Sequence, residues 1–215
     1  MPHNKVTISY IAFVHCIRLN QLITTENAAK KHLSLAEYNQ LEEETNERYE
    51  YHDGEVFAMA GGDPVHGAIA GNLIRLIGNG LVTKDCTTLT SDVKYYIPSI
   101  NRSLYPDVSV VCGPSERSEQ DTKALTNPIL LIEVLSDSNA SYDRGTKFHN
   151  YSELPSLRKY VLVEQHTWRV ETRYRSSSEE PWQMDWFSGE NAEVKLRSVD
   201  LTLPMADLYR RTENL

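Results

Sequence analysis

The sequence predicts an α/β (α+β) fold in which helices flank a mixed central β-sheet. One observation is the order of patterns along the chain, which runs helix, hairpin, helix, several strands, helix, strands. A second is a pair of short apolar segments, 104–112 and 128–136, rich in branched aliphatic residues and typical of strands buried on both faces. The length of 215 residues and the hydrophobic content of 40% suit a globular domain with a sizeable core.

Charge and cysteine content narrow the function classes. The formal net charge of −8 argues against a strongly basic nucleic-acid surface, although it allows a local basic groove. Cys16, Cys86 and Cys112 are widely spaced and form no CxxC pair, so we expect neither a zinc knuckle nor a disulfide framework, and Cys112 is expected to be a small buried hydrophobic residue. This number and spacing of cysteines favour a reduced, cytoplasmic location. No apolar run is long enough to cross a bilayer, so no membrane partner is expected.

The N-terminal part of the chain contains little pattern before residue 33. Residues 1–32 are predicted to form an arm or extension, and residues 33–215 one domain, because no linker or internal repeat divides them. Ser34 followed three residues later by Glu37 fits a capping box, which predicts the start of the first helix.

Turn and capping residues predict the next two elements. Asp53-Gly54 between two apolar-bearing runs predicts a hairpin over 48–60. Asp63-Pro64 predicts the N-cap and first residue of a second helix, which ends near Gly78. Its apolar stripe is Ile69, Leu73, Leu76, Ile77 and Leu81.

The rest of the chain alternates apolar segments with polar connections. Residues 113–127 are polar and charged and are predicted to be a surface loop. The remaining predicted elements are a strand region at 87–98, a helix at 138–154, a strand at 156–163, a hairpin of 168–175 with 182–188, edge strands within 192–203 and a terminal helix at 205–212.

Each of the two central apolar segments contains one carboxylate. Asp107 follows Pro106 in the first, and Glu133 interrupts the apolar run of the second. Burial of an ionised carboxylate in such a strand costs several kcal/mol. The cost is avoided when the carboxylate is paired, metal-bound or at the open end of the strand. We expect the two strands to lie side by side, and the two acids are the strongest functional indication in the sequence.

Six motifs in order resemble the Uma2 family of restriction endonuclease-like proteins, which belongs to the PD-(D/E)XK nuclease superfamily. The resemblance covers roughly 34–203 and implies a restriction-endonuclease-like core with extra C-terminal β-hairpin strands. The motifs are Tyr49-Glu50-Tyr51-His52-Asp53-Gly54-Glu55, His66, Tyr105-Pro106-Asp107-Val108, Ile132-Glu133-Val134-Leu135-Ser136, Tyr142-Asp143-Arg144-Gly145-Thr146-Lys147-Phe148 and Leu154-Pro155-Ser156-Leu157-Arg158-Lys159-Tyr160-Val161-Leu162-Val163.

The resemblance implies a role for each of four residues. Asp107 matches the Asp of the PD element, Glu133 matches the (D/E) element, and Glu50 matches an additional acidic residue of the superfamily. Leu135 stands where the superfamily usually has a lysine. Lys147, on the following helix, matches the lysine that this family uses instead.

The implied chemistry is hydrolysis of DNA phosphodiester bonds by an activated water. Asp107, Glu133 and the backbone carbonyl of Val134 are the expected metal ligands, with Glu50 as a further candidate. Oxygen ligands without a Cys/His cluster favour Mg²⁺, for which Mn²⁺ can substitute. Lys147 would orient or deprotonate the water, or stabilise the phosphate. DNA is the expected partner, and a homodimer is expected because nucleases of this superfamily often pair to cut both strands.

The acidic residues also have purely structural interpretations. Glu133 could be paired with Arg144 or Arg158 at a strand end. Asp107 could cap a turn, and Glu50 could be the cross-strand partner of a basic residue.

The basic residues also have structural interpretations, and the protein has alternative functions. Lys147 lies four residues after Asp143, which is ordinary helical ion-pair spacing, and Lys94 is another candidate for the active lysine. His66, near a helix start, is expected to be a local hydrogen bonder. A non-catalytic nucleic-acid-binding or regulatory module that keeps the nuclease fold is the main alternative function, and hydrolysis of another phosphoester is a third.

Overall fold

The computed structural model describes residues 32–59, 61–213 and 215. The chain divides into two compact units, Met1–Ala58 and Met59–Leu215. The predicted N-terminal arm lies outside the described residues except for His32, and its boundary stays a prediction. No helix in the described part of the chain is long and apolar enough to cross a membrane.

The first unit begins with helix α1, Leu35–Thr45, and the predicted capping box is confirmed. Ser34 Oγ accepts a hydrogen bond from the Glu37 backbone N–H at 3.3 Å, and Glu37 Oε2 accepts one from the Ser34 N–H at 2.8 Å. Two of the donors that a helix start leaves without partners are therefore satisfied reciprocally. The helix packs its apolar side into a small core of Tyr38, Leu41, Tyr49 and Tyr51.

The predicted hairpin of the first unit is also confirmed. Strand β1, Tyr49–His52, pairs antiparallel with strand β2, Glu55–Ala58. The two turn residues Asp53 and Gly54 have φ angles of 48° and 99°. A two-residue turn with two positive φ angles matches the right-handed twist of the strands, and Asp-Gly is a sequence that accepts it.

The second unit is built on a six-stranded sheet. Its strands are β3 Cys86–Thr90, β6 Val108–Cys112, β7 Leu130–Leu135, β8 Lys159–Glu164, β9 Arg169–Tyr174 and β10 Gln183–Ser188. They lie in the order β10-β9-β8-β7-β6-β3. All neighbouring pairs are antiparallel except β7 with β8, which is parallel, so the predicted mixed sheet is confirmed.

Two short hairpins accompany this sheet. One joins β4, Tyr95–Ile97, to β5, Arg102–Leu104. The other joins β11, Glu193–Leu196, to β12, Leu201–Pro204, in the region predicted to form edge strands. The predicted strand region at 87–98 is therefore two strands, because residues 91–92 turn the chain between β3 and β4.

Helices cover both faces of the sheet. The first face, defined by Val108, Ile132, Val134 and Val161, packs against α2, Pro64–Gly80, and α5, Met205–Leu208. The second face, defined by Leu131, Leu135, Tyr160 and Leu162, packs against Tyr151 and Leu154. The helical segment on this side consists of α3, Ala140–Tyr142, a π-helical turn, Asp143–Lys147, and α4, Phe148–Ser152.

The sequence placed Asp107 inside a strand and 113–127 on the surface, and both expectations need correction. Strands β5 and β6 are interrupted at 105–107, so Asp107 lies immediately before β6. The loop is partly buried because Asp121, 1% exposed, forms an ion pair with Lys94 at 2.8 Å. The polar composition of the loop did not indicate that Asp121 is buried. A charge that is paired can be buried where a single charge cannot.

Cys86 and Cys112 form a single disulfide, so the expectation that Cys112 is simply a small buried hydrophobic residue was wrong. The two residues are 26 positions apart in sequence, but they lie directly opposite each other in the antiparallel register of β3 and β6. Sequence spacing does not reveal such a pair, because the register of two strands decides which cysteines meet.

Candidate active site

The centre of the site is the point where the pairing of β6 and β7 ends. Val108 pairs with Ile132, so the next residue outward on β6, Asp107, comes opposite Glu133 on β7. Pro106 precedes Asp107 and has no backbone N–H with which to continue the ladder. Residues directly opposite each other in an antiparallel pair place their side chains on the same face. The two predicted acids therefore meet at one end of the sheet.

The Asp107 carboxylate replaces the missing strand partner. Its Oδ2 accepts a hydrogen bond from the Val134 backbone N–H at 2.7 Å. This contact satisfies a donor of β7 that β6 no longer reaches, and it fixes the orientation of the carboxylate. Asp107 Oδ1 accepts no hydrogen bond from any described residue, which leaves one oxygen of this carboxylate for another ligand.

His66 provides the second contact to Asp107. Its Nε2 lies 3.1 Å from Asp107 Oδ2, and the hydrogen bond to Asp107 raises the His66 pKa, while burial opposes this effect. The position of His66 follows from the start of α2, where Asp63 accepts hydrogen bonds from the Val65 and His66 N–H groups. The sequence predicted a local hydrogen bonder, but the side-chain partner of His66 is Asp107, which is distant in the chain, so that expectation was wrong.

Glu133 is buried, with 2% of its surface exposed. Burial raises its pKa well above the usual value, and the charge of Asp107 raises it further, whereas the charge of Lys147 lowers it. Lys147 Nζ lies 3.0 Å from Glu133 Oε1. The contact is an ion pair by distance, but Oε1 accepts no hydrogen bond of good geometry within the described residues. The buried Glu133 carboxylate therefore has the Lys147 ammonium as its counter-charge.

Lys147 is held at the end of the π-helical turn of Asp143–Lys147. Its ammonium donates a hydrogen bond to the Tyr105 carbonyl at 3.1 Å and lies 3.8 Å from Asp143 Oδ1. A single π-helical turn inside a helix is often found at functional sites. The spacing to Asp143 is thus the ordinary helical pairing that the sequence allowed, but the closer carboxylate is that of Glu133.

The alternative partners of Glu133 are engaged elsewhere. Arg144 forms ion pairs with Glu164 and Glu171. Arg158 donates hydrogen bonds to the carbonyls of Pro155 and Leu157. Neither arginine is the partner of Glu133, so that structural interpretation does not hold.

Two other predicted site residues form contacts of their own. Lys94 is paired with Asp121, as described above, and its side chain is 3% exposed. Glu50 lies in the first unit, where its Oε2 is 3.3 Å from His52 Nε2 on the same strand. The role of Glu50 as a fourth acidic residue stays a prediction.

The donor set of the site suits a hard cation better than zinc. Within the described residues no group of three or more His, Cys, Asp or Glu side chains forms a metal cluster. The oxygens of Asp107 and Glu133 that lack hydrogen-bond donors, together with backbone carbonyl oxygen, are the ligand types that Mg²⁺ accepts while it keeps several waters. The residues present therefore fit a magnesium-type site with two carboxylates.

Comparisons with known proteins agree with this fold. The chain resembles the crystal structure titled "a putative nuclease belonging to DUF820" from Anabaena variabilis, with a TM-score of 0.62 over 76% of this chain and 90% of that chain. The sequences are 18% identical, so this likeness concerns the fold alone. The two proteins therefore share a fold.

Sequence comparison then shows the family. Residues 35–206 match the Uma2 family, described as "Putative restriction endonuclease", and the chain belongs to this family. Two relatives from Synechocystis sp. (strain ATCC 27184 / PCC 6803 / Kazusa) are uncharacterized proteins. Slr1290 is 36% identical over 83% of this chain and 92% of its own length, and sll1609 is 34% identical over 78% of this chain and 94% of its own length.

Proposed function

We propose that the protein is a metal-dependent endonuclease that hydrolyses DNA phosphodiester bonds by attack of an activated water. The observation that carries the proposal is the meeting of Asp107 and Glu133 at the end of the β6–β7 ladder, with the Lys147 ammonium 3.0 Å from Glu133. Two carboxylates and one cation at a single strand end are the groups that such a reaction requires. Family membership supports the same reaction class.

Asp107, Glu133 and the Val134 carbonyl would hold Mg²⁺, for which Mn²⁺ can substitute. A bound divalent cation supplies neutralisation of phosphate charge and a more acidic water. The Val134 N–H and His66 both contact Oδ2 of Asp107, so they orient Oδ1 toward a ligand. His66 is therefore assigned a positioning role on the carboxylate.

Lys147 has two roles in this proposal. Burial favours the protonated form of Glu133, and the Lys147 ammonium favours the ionised form that a metal ligand requires. The Lys147 ammonium also donates a hydrogen bond to the Tyr105 carbonyl, and we assign it to orientation of the water or stabilisation of phosphate charge.

One observation favours a second candidate function. The Lys147–Glu133 pair already supplies Glu133 with a counter-charge, and Leu135 stands where the superfamily usually has its lysine. A chain that kept the fold and lost the reaction would show the same pair. The second candidate is therefore a non-catalytic nucleic-acid-binding or regulatory module.

The test is cleavage of supercoiled plasmid DNA with Mg²⁺ or Mn²⁺. Wild type is expected to nick or linearise the plasmid, and Asp107→Ala and Glu133→Gln are expected to lose this activity by more than a hundredfold. Asp185→Asn is the matched control, since this half-buried acid of β10 pairs with Arg197 instead. Cleavage that survives both site substitutions would overturn the assignment. We include a homodimer in the proposal, to be measured by sedimentation equilibrium. The expected cytoplasmic location is not part of it, because the Cys86–Cys112 disulfide removes the cysteine argument for a reduced compartment.

A further inference from the structure

The row of residues that contains Glu133 continues across the sheet to its edge. Glu133 pairs with Leu162, Leu162 with Glu171, and Glu171 with Trp186. Paired residues share a face, so all four side chains belong to the second face. The strand order ends at β10, which makes Trp186 the outermost member of the row.

The outer part of this row is exposed and aromatic. Trp186 is 50% exposed, and Met184, two residues away on the same face, is 48% exposed. The Arg169 guanidinium lies over the Trp186 ring at 4.4 Å from its centroid. Stacking on an indole ring fixes the plane of a guanidinium while its N–H donors remain available at the edges.

The charge of Arg169 is not neutralised by a neighbouring acid. Arg144 and Arg173, the other two arginines near this row, form ion pairs with Glu171. Arg169 forms no ion pair with any residue in the described part of the chain, and it is exposed. A fixed, unneutralised guanidinium beside an exposed ring is the combination that binds phosphate groups of nucleic acid.

We infer that Arg169 and Trp186 form a contact for the phosphate backbone of duplex DNA, on the same sheet face as the candidate active site. The inference rests on the proposed function, because it assigns a substrate contact to that same site. The partner follows from charge complementarity, since a local cation suits a polyanion even though the whole chain carries −8.

The contact lies at a distance from the candidate active site. Three strand spacings of about 4.8 Å separate Glu133 from Trp186, or about 14 Å in all. The inferred contact therefore positions the substrate and takes no part in the bond-breaking step.

The test is equilibrium binding of fluorescein-labelled duplex DNA in EDTA, measured by anisotropy over a range of salt concentrations. Arg169→Gln is expected to weaken binding about tenfold and to reduce the slope of log K against log salt by about one, as loss of one phosphate contact does. Trp186→Ala is expected to weaken binding less, because it loosens the arginine without removing it. Thermal unfolding of each variant checks that the fold is intact.

Arg197→Gln is the matched control. Arg197 also stacks on a ring of the same hairpin, with its guanidinium 4.7 Å from the Tyr174 centroid, but Tyr174 lies on the first face. Arg197→Gln is expected to bind DNA as wild type does. Equal losses in both arginine variants, wild-type affinity in Arg169→Gln, or no DNA binding by wild type would overturn the inference. Binding that depends on Arg169 without any plasmid cleavage would keep the inference and reject the proposed catalysis.

Discussion

The ammonium of Lys147 lies 3.0 Å from Glu133 Oε1, although one residue belongs to a buried strand and the other to a π-helical turn 14 positions later. Both side chains are less than 8% exposed. In such an environment neither charge is tolerated without the other, so the pair joins the helical segment to the sheet at the candidate site.

The first prediction concerns the stability that this pair provides. Lys147→Met leaves the Glu133 carboxylate buried without its counter-charge, and we expect it to lower the free energy of unfolding by about 3 kcal/mol at pH 7. The double variant Glu133→Gln/Lys147→Met removes both charges and should recover at least half of that loss. Urea unfolding measures all three proteins. A double variant less stable than Lys147→Met would contradict a coupled pair.

The second prediction separates the two candidate lysines. Lys94 is paired with Asp121, whereas the Lys147 ammonium lies 3.0 Å from Glu133. Lys94→Met is expected to destabilise the fold but to keep plasmid cleavage at a temperature where the variant is folded. Lys147→Met is expected to lose cleavage by more than a hundredfold under the same conditions. The reverse order of losses would identify Lys94 as the active lysine.

The third prediction uses Lys159, which is fully buried and whose ammonium has no hydrogen-bond partner within the described residues. Burial lowers its pKa from 10.5 to about 8, and Asp185 partly offsets this. Because the folded-state pKa is the lower one, the unfolded state binds more protons between these values, and stability rises with pH across that window. Below this pH window the buried ammonium lowers the free energy of unfolding by its full amount, about 3 kcal/mol.

Lys159→Met should therefore raise the free energy of unfolding at pH 7, and its advantage over wild type should shrink as the pH rises from about 8 to 10.5. Urea unfolding of the two proteins across this range measures the difference. A difference that stays constant with pH would show that the ammonium is hydrated or paired in solution.

The fourth prediction concerns the Cys86–Cys112 disulfide between β3 and β6. Closing a loop over 26 positions of the chain should stabilise the fold by about 3 kcal/mol in the chain-entropy account. Dithiothreitol is expected to lower the melting temperature of wild type. Cys86→Ala/Cys112→Ala should melt at the temperature of the reduced protein and should not respond to dithiothreitol. Equal responses of both proteins would contradict the bond.

Features fixed by local chemistry were predictable from the sequence. The Ser34–Glu37 capping box, the Asp53-Gly54 turn and the start of α2 at Pro64 each depend on a few neighbouring residues, and each is confirmed. The two apolar segments that each carry one acid also predicted that Asp107 and Glu133 come together from neighbouring strands, which the β6–β7 register supports.

Features fixed by register and packing were not predictable. The Cys86–Cys112 bond depends on which residues of two strands lie opposite each other. The contact of His66 with Asp107 depends on where α2 crosses the end of the sheet. The burial of Asp121 depends on a partner 27 positions earlier, Lys94, that no local pattern reveals. In each case the deciding contact is long-range, whereas sequence patterns report local preferences.

The most direct test of the central claim, that Asp107 and Glu133 hold a divalent metal, is calorimetric titration of Mn²⁺ into the whole protein. We predict saturable binding by wild type, loss of that binding in Asp107→Asn and Glu133→Gln, and wild-type binding in the control Asp185→Asn. Binding that is unchanged in both site variants, or the absence of any binding to folded wild type, would contradict the claim.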